Sequence, residues 1–529
     1  MEFREAVIRA ANIRLSRLRQ AESISAGLTF KPKRRENAPD LPALPVRKQI
    51  RPAPFDFRLP LEQQYVLAEE TYQHILSVMQ NMALVMEYSP KAFADLGQEA
   101  LRFHFLVQLN GQYDETATGE TFNGEGKSAH REMQLGSWPL DRPRPGDTMI
   151  AEAARLIDGA RFPVVIAGGG VLNSGAGNAL LRFAEKAATP VATTNMGKGA
   201  IPETHPLAMG VIGNLTGPGG LGRYTKPLVQ PADVVLLIGN RTNEDGTDHW
   251  SLIPDDARVL HIDIDPQEIG RNYEAMRLVG DARATLEALT DALGGHSRDR
   301  DAIERCVADA WATFERERAP FLADAEPIRA ERVLAAIQKR LGAQTIVVSD
   351  ASYASSWVAG QLRITHSTTR VISPRGLAGL GWGLPLALGA KLARPAGEVI
   401  VVVGDGGFAH AWAELETAVR SGIRVTVVVL NNGVLGYQKD AEKAKFGRYT
   451  AAAHLGHVDH AAIARACGGH GETVERASHL DAAFDRAARS DVIALLDVLT
   501  DAGGHPPISL YDGTLDRLEH GRVVQDPVP

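Results

Sequence analysis

Two doubly wound parallel-sheet domains of the α/β class, preceded by a mainly helical N-terminal region that is in part an extended or disordered arm, are predicted by three features of the sequence. Short runs of Val, Ile and Leu recur from about residue 163 to 498. They are continuous rather than alternating, the pattern of strands buried on both faces. Helical stretches separate them, as parallel crossovers require. A long charged helical stretch from Ala284 to Arg340 divides the runs into two groups, so the chain holds two sheets of similar kind.

Whole-chain properties narrow the function classes. A length of 529 residues corresponds to three or so domains. A net charge of -7 and an isoelectric point near 6.2 give no general attraction to nucleic acid or to acidic membranes. Two cysteines, Cys306 and Cys467, exclude a disulfide framework or a cysteine-rich zinc site and fit a reducing compartment, so a cytoplasmic location is expected. No apolar run reaches the roughly 18 residues of a membrane helix. Arg and Glu stand where a signal peptide would be apolar.

Taken in order, residues 1–60 form a basic, Pro-rich arm with KPKRR at 31–35. It reads as a solvated arm in preference to a nucleic-acid patch. Residues 61–127 form a mainly helical segment. Val66, Ile75, Leu76, Met79, Leu84 and Val85 suit an amphipathic helix over Leu61–Tyr88, and a second helix is expected near Ala92–Leu106. Glu69, Glu70 and Glu99 fall on the solvated faces of these helices. Residues 128–147 are a polar, Pro-punctuated linker. Residues 148–295 are the first sheet domain, with strands in PVVIAGGG at 163–170, DVVLLIGN at 233–240 and VLHIDID at 259–265, and a helix over Ala176–Ala187. Asp263 and Asp265 read as caps at a strand end. Residues 296–340 form a helical connector. Residues 341–515 are the second sheet domain, with strands in TIVVSD at 345–350, EVIVVVGDG at 398–406, RVTVVVLNN at 424–432 and VIALLDV at 492–498, and 516–529 are a tail.

The chemistry concentrates in the second domain. Val399 to Val403 end at Gly404, which places Asp405 past the C-terminal edge of a buried parallel strand, where open sheets bind ligands. Gly404, Gly406 and Gly407 allow backbone N–H groups to approach an anionic oxygen, and a helix is expected from about Ala409 to Arg420. The next strand, Val425 to Leu430, ends in Asn431-Asn432 at the same edge. Mg²⁺ takes six hard oxygens and shares them between protein and phosphate. Asp405 and Asn432 supply two side-chain oxygens of that kind, beside a diphosphate.

GDGGF at 404–408, whose GDG is followed after 24 intervening residues by NN at 431–432, resembles the signature of thiamine-diphosphate-dependent enzymes. PRGLAGLGWGLPLALGAKLA at 374–393 is similar to the acetolactate synthase (acetohydroxyacid synthase) large-subunit type. The resemblance covers residues 135 to 515. It implies thiamine diphosphate and Mg²⁺ as cofactors, with Asp405, Asn432 and the carbonyl of Val434 as metal ligands. It further implies Gly404, Gly406, Gly407 and Gly436 as cofactor-binding positions, and Leu380 as the apolar support of the bent cofactor. Ser352 and Tyr353 align with a second diphosphate loop, where the family's Gly-Gln-His is Ser-Tyr-Ala. The implied reaction is decarboxylation of a 2-oxo acid such as pyruvate with carboligation. Segments such as GGGVLNSGAG at 168–177 surround a flavin in acetohydroxyacid synthases; the stretch near Gly239 departs from that version, and FAD is not expected.

In the family the cofactor is activated by a glutamate in an N-terminal pyrimidine-binding domain. Residues 1–127 lack that domain's glycine-rich entry and strand-borne glutamate, so no catalytic residue is assigned. The segment from Gln64 to Lys127 instead resembles the leading part of bacterial proteins with a restriction-endonuclease-like fold. The chain therefore reads as a fusion of two truncated parents. Three alternatives stay open. One is a decarboxylase or lyase of the same fold on another 2-oxo acid or an acyl-coenzyme A. Another is an inactive or regulatory cofactor-binding subunit. The third is a nucleic-acid-associated protein driven by the basic arm. The expected assembly is a homo-oligomer or a pairing with a chain that carries the pyrimidine domain.

Overall fold

The computed structural model describes residues 73–78 and 141–511. Residues 73–78 are helical, within the predicted Leu61–Tyr88 helix, and belong to a unit of their own spanning residues 1–139. The readings made for the 1–60 arm, for the rest of the 61–127 segment with Glu69, Glu70, Glu99 and the helix near Ala92–Leu106, for most of the linker and for the tail lie outside the described residues.

Residues 140–529 form the second unit, which holds both sheets. The first sheet contains β1 (Pro163–Ala167), β2 (Val191–Thr193), β3 (Ala208–Val211), β4 (Val234–Ile238), β5 (Arg258–Asp263) and β6 (Ala275–Val279), in the order β3-β2-β1-β4-β5-β6. The second contains β7 (Ile346–Ser349), β8 (Arg370–Ile372), β9 (Val399–Gly404), β10 (Thr426–Asn431), β11 (His470–Val474) and β12 (Ala494–Leu499), in the order β11-β12-β10-β9-β7-β8. Every pairing is parallel. The order reverses direction between β1 and β4 in the first sheet and between β9 and β7 in the second, where β12 also returns between β10 and the edge strand β11. These reversals create the crevices where open sheets take ligands.

The continuous apolar runs explain the layering. Successive side chains of a strand point to opposite faces. Val165 and Ala167 accordingly join one core and Val164 and Ile166 another, while Ile400 and Val402 face a third core and Val399, Val401 and Val403 a fourth. Helices cover both faces of each sheet. Several begin at an aspartate that accepts a hydrogen bond from the first turn: Asp281 from Ala284, Asp299 from Ala302 and Asp459 from Ala462.

Three features differ from the sequence expectation. The helix expected from Ala409 to Arg420 is instead a single turn, α1 (Asp405–Phe408), and a separate helix, α2 (Glu414–Arg420). The intervening residues turn Trp412 against the ring of His460, at 5.9 Å. The stretch expected as a connector is shared between the two domains. Val307, Trp311 and Phe314 enter the first domain's core, and Val333, Leu334 and Ile337 enter the second's. Strands β6, β8 and β11 gave little signal because they are short edge strands with partly exposed residues. No helix among the described residues is long and apolar enough to cross a membrane.

A buried ion pair of the first domain stands at its junction with the second. Lys198 and Glu203 lie 2.9 Å apart with side chains 2% and 1% exposed. Glu203 also accepts the Ile364 N–H at 2.6 Å, while its own N–H donates to the Ile364 carbonyl at 2.7 Å. Removing one partner of such a pair leaves a buried charge uncompensated. Lys198→Met should therefore lower unfolding stability by about 3–5 kcal/mol in urea titration; a loss under about 1 kcal/mol would show that the pair is not what holds this junction.

Candidate functional site

Register sets the site. Leu430 of β10 pairs with Gly404 of β9, so both chains leave the sheet at the same level. Asp405, 6% exposed, then bridges the two strand ends. One carboxylate oxygen accepts the Gly406 N–H at 2.9 Å, and the other accepts the Gly433 N–H at 2.7 Å. Burial pushes this carboxyl above the usual carboxylate range, and the two N–H groups pull it partly back. A buried carboxylate with spare lone pairs, short of positive charge, is a setting that a cation would stabilise.

The two asparagines separate as strand alternation requires. Asn431 turns to Asp497, donating at 2.9 Å, and anchors the end of β10 to β12. Burial holds the Asp497 carboxyl above its ordinary range. Asn432 lines the cleft instead, where its side-chain oxygen accepts the Val434 N–H at 3.2 Å.

The cleft measures about 660 Å³, and all ten positions singled out for cofactor or metal line it: Ser352, Tyr353, Leu380, Gly404, Asp405, Gly406, Gly407, Asn432, Val434 and Gly436. Its floor has no room for side chains at Gly406 and Gly407. A Cβ on Gly407 would come within 2.3 Å of the Asp350 carboxylate, and one on Gly406 within 2.5 Å of Leu435. The backbone of the GDGG turn is therefore bare toward the cleft, as close approach of phosphate oxygens demands. No group of three or more His, Cys, Asp or Glu is gathered among the described residues. A metal bound here would draw part of its shell from a ligand, the habit of Mg²⁺.

Three further residues shape the cleft. Asp350, 1% exposed at the end of β7, accepts N–H groups from Gly381, Trp382 and Gly383 at 3.0, 3.1 and 3.2 Å. It thereby holds Leu380 in the cleft wall, with the Leu380 side chain 3.6 Å from the Cβ position of Gly407. Its signal in the sequence was the one used for Asp405, a carboxylate directly after a buried strand. Arg375 and Asp245 also line the cleft, joined at 2.5 Å. They are 130 residues apart in the chain and come from different domains, so only folding reveals the pair.

The Ser-Tyr-Ala segment keeps an unusual backbone. Ser352 has φ 63 and ψ -143, a region in which a residue with a Cβ is strained. It opens the helix α3 (Tyr353–Gln361). The Tyr353 hydroxyl donates to Asp440 at 2.7 Å, and its ring meets those of Tyr437 and Tyr511 edge-on at 5.9 and 6.4 Å. Burial, with Asp440 alongside, pushes the phenol well above its ordinary range, so Tyr353 is a fixed hydrogen-bond donor.

The first domain's crevice is different. Gly168 donates its N–H to Ile238 at 2.8 Å, and Gly170 donates to Gly239 at 3.1 Å. A Cβ on Gly168 would fall 2.1 Å from the Gly239 carbonyl oxygen. Backbone fills the gap between the ends of β1 and β4. Asp263 and Asp265 are local caps, accepting the N–H groups of Asp265 and Gln267 at 2.9 Å each.

Comparison with known proteins agrees with this division. Residues 150–289 match the thiamine pyrophosphate enzyme central domain, and residues 350–498 match the thiamine pyrophosphate enzyme C-terminal TPP binding domain. The chain is 32% identical over 383 residues to a probable acetolactate synthase large subunit of Methanocaldococcus jannaschii, covering 70% of this chain and 62% of that protein. It is 30% identical over 371 residues to the putative thiamine pyrophosphate-containing protein YdaP of Bacillus subtilis, covering 69% and 61%. It is also 30% identical over 380 residues to the acetolactate synthase isozyme 3 large subunit of Escherichia coli, covering 70% and 65%. The chain thus spans less than two thirds of the length of each of these relatives.

Ser352→Gly should relieve the backbone strain and raise stability by about 1 kcal/mol, once glycine's greater freedom in the unfolded chain is set against the relief. Thermal unfolding of the two proteins measures it. An unchanged or lower midpoint would mean that the Ser352 backbone is unstrained.

Proposed function

Residues 150–289 and 350–498 belong to the thiamine pyrophosphate enzyme family, and from that premise we propose that the cleft binds thiamine diphosphate with Mg²⁺ for acetolactate synthase-type chemistry on a 2-oxo acid such as pyruvate. The observation that carries the proposal is the Asp405 bridge. It sets a buried carboxylate, the Asn432 amide and the bare Gly406-Gly407 backbone around one space. Asp405, Asn432 and the Val434 carbonyl would hold the metal. Ser352, Tyr353, Gly404, Gly406, Gly407 and Gly436 would surround the diphosphate, and Leu380 would support the bend of the cofactor. When bound, thiamine diphosphate supplies the electron sink that decarboxylation and carboligation need. The chain's own part is to orient it.

The activating acid is the finer point. Glu442 is the one glutamate lining the cleft among the described residues. The Gln438 amide donates to it at 2.5 Å and the Thr450 N–H at 2.7 Å, and these bonds hold its carboxyl below the usual range. A group kept ionised in this way is unsuited to donate a proton at neutral pH. Turnover on this reading requires a carboxylic acid from outside the described residues, and a chain carrying a pyrimidine-binding domain is the partner that fits. A cofactor-holding subunit without turnover is the second reading, favoured by Tyr353, whose hydroxyl is engaged by Asp440 where the family has glutamine. The backbone contact between Gly168, Gly170 and Gly239 supports a reading of the first domain without flavin.

Calorimetric titration of thiamine diphosphate into the full-length chain tests the proposal. Saturable binding that requires Mg²⁺ is expected, and Asp405→Ala should weaken it about 100-fold or more, roughly 2.8 kcal/mol. Failure of the wild-type chain to bind would remove the proposal. Pyruvate turnover by the chain alone would overturn the need for an external acid.

A further inference from the structure

Arg375 is the one basic side chain among the described residues that line the cleft, whose acidic members are Asp245, Asp350, Asp405 and Glu442. An anionic substrate entering it meets repulsion everywhere except at this guanidinium. The guanidinium is anchored at two points. It donates to Ser355 Oγ at 3.0 Å and to one oxygen of Asp245 at 2.5 Å. The second Asp245 oxygen accepts the Asn214 amide at 2.8 Å, so Asp245 meets Arg375 end-on rather than as a bidentate fork. Arginine carries five N–H donors in a plane, which leaves capacity for another carboxylate.

Burial of the two partners is unequal. The Arg375 side chain is 15% exposed and that of Asp245 is 46% exposed. The cation is thus fixed inside the cleft, while its counter-ion stands on the rim, supplied by the other domain. Both partners line the cleft, together with Leu380 and Ala378.

We propose that Arg375 is the specificity-determining residue of the cleft, taking the carboxylate of the 2-oxo acid, with Asp245 as the exchangeable counter-ion that occupies the guanidinium before substrate arrives. The proposal rests on the reading of the cleft as a thiamine diphosphate site, and its test separates the two. The bare glycine backbone and the Asp405–Asn432 pair serve the diphosphate end, so Arg375 is assigned to the substrate carboxylate.

The test uses the full-length chain saturated with thiamine diphosphate and Mg²⁺, after calorimetry has established that binding for each variant. Oxamate, an unreactive 2-oxo acid mimic, and oxamide, its uncharged counterpart, are then titrated with ligand-observed NMR. Oxamate should bind more tightly than oxamide to the wild-type chain. Arg375→Gln should abolish that preference, weakening oxamate about 10-fold or more, the scale of one lost charge-assisted contact. Asp245→Asn should tighten oxamate by about 3-fold, because it frees the guanidinium. Thiamine diphosphate affinity should stay within about twofold in both variants, well under the tenfold that one charged contact is worth. Equal binding of oxamate and oxamide by the wild-type chain overturns the proposal. So does weakening of oxamate by Asp245→Asn, which would make the pair a latch. A parallel loss of thiamine diphosphate affinity in Arg375→Gln would assign the arginine to the diphosphate instead. Absence of cofactor binding by the wild-type chain would sink the underlying reading and leave Arg375 without a carboxylate to select.

Discussion

The site depends on one carboxylate doing two jobs at the edge of a parallel sheet. Asp405 leaves β9 and accepts N–H groups from its own turn and from the turn after β10, which locks two loops that are 28 residues apart. The same carboxylate lines the cleft floor. Neighbouring residue types follow from that double demand. Glycines at 406 and 407 keep side chains out of the space that the carboxylate faces, and Asn432 adds an oxygen without adding charge. Burial makes the arrangement costly without a cation, as the raised carboxyl of Asp405 shows.

Around this centre the fold supplies layers of restraint. Asp497 holds Asn431, so strand alternation delivers Asn432 to the cleft. Asp350 holds the turn after β8 by three N–H groups and sets the position of Leu380. Tyr353 and Asp440 tie α3 to the helix that follows the Asn pair. Each restraint rests on a buried carboxylate that accepts hydrogen bonds, which is what lets polar groups sit in a core without destabilising it. The strained backbone of Ser352 lies among them, where surrounding structure over-determines the conformation.

Much of this was legible in the sequence, for identifiable reasons. Buried parallel strands are continuous apolar runs, so β1, β4, β5, β7, β9, β10 and β12 were visible, and with them the strand-end positions of Asp405 and Asn432. Edge strands such as β8 and β11 carry no such run. The broken helix after Asp405 was hidden because Ala409 to Arg420 has helical composition; the break falls where Trp412 packs against His460. Asp350 could have been read by the rule that found Asp405. The Arg375–Asp245 pair could not, since nothing local links two residues 130 positions apart and the contact spans two domains.

The proposal that Asp405 and Asn432 share one divalent cation with a bound diphosphate is open to a spectroscopic test with Mn²⁺ in place of Mg²⁺. In electron paramagnetic resonance titrations of the full-length chain, the free Mn²⁺ signal should fall when thiamine diphosphate is present together with the chain. The fall should exceed that caused by either alone, and Asn432→Ala should reverse most of it. Loss of signal that is indifferent to thiamine diphosphate, or unaffected by Asn432→Ala, would contradict the claim and place the cation elsewhere.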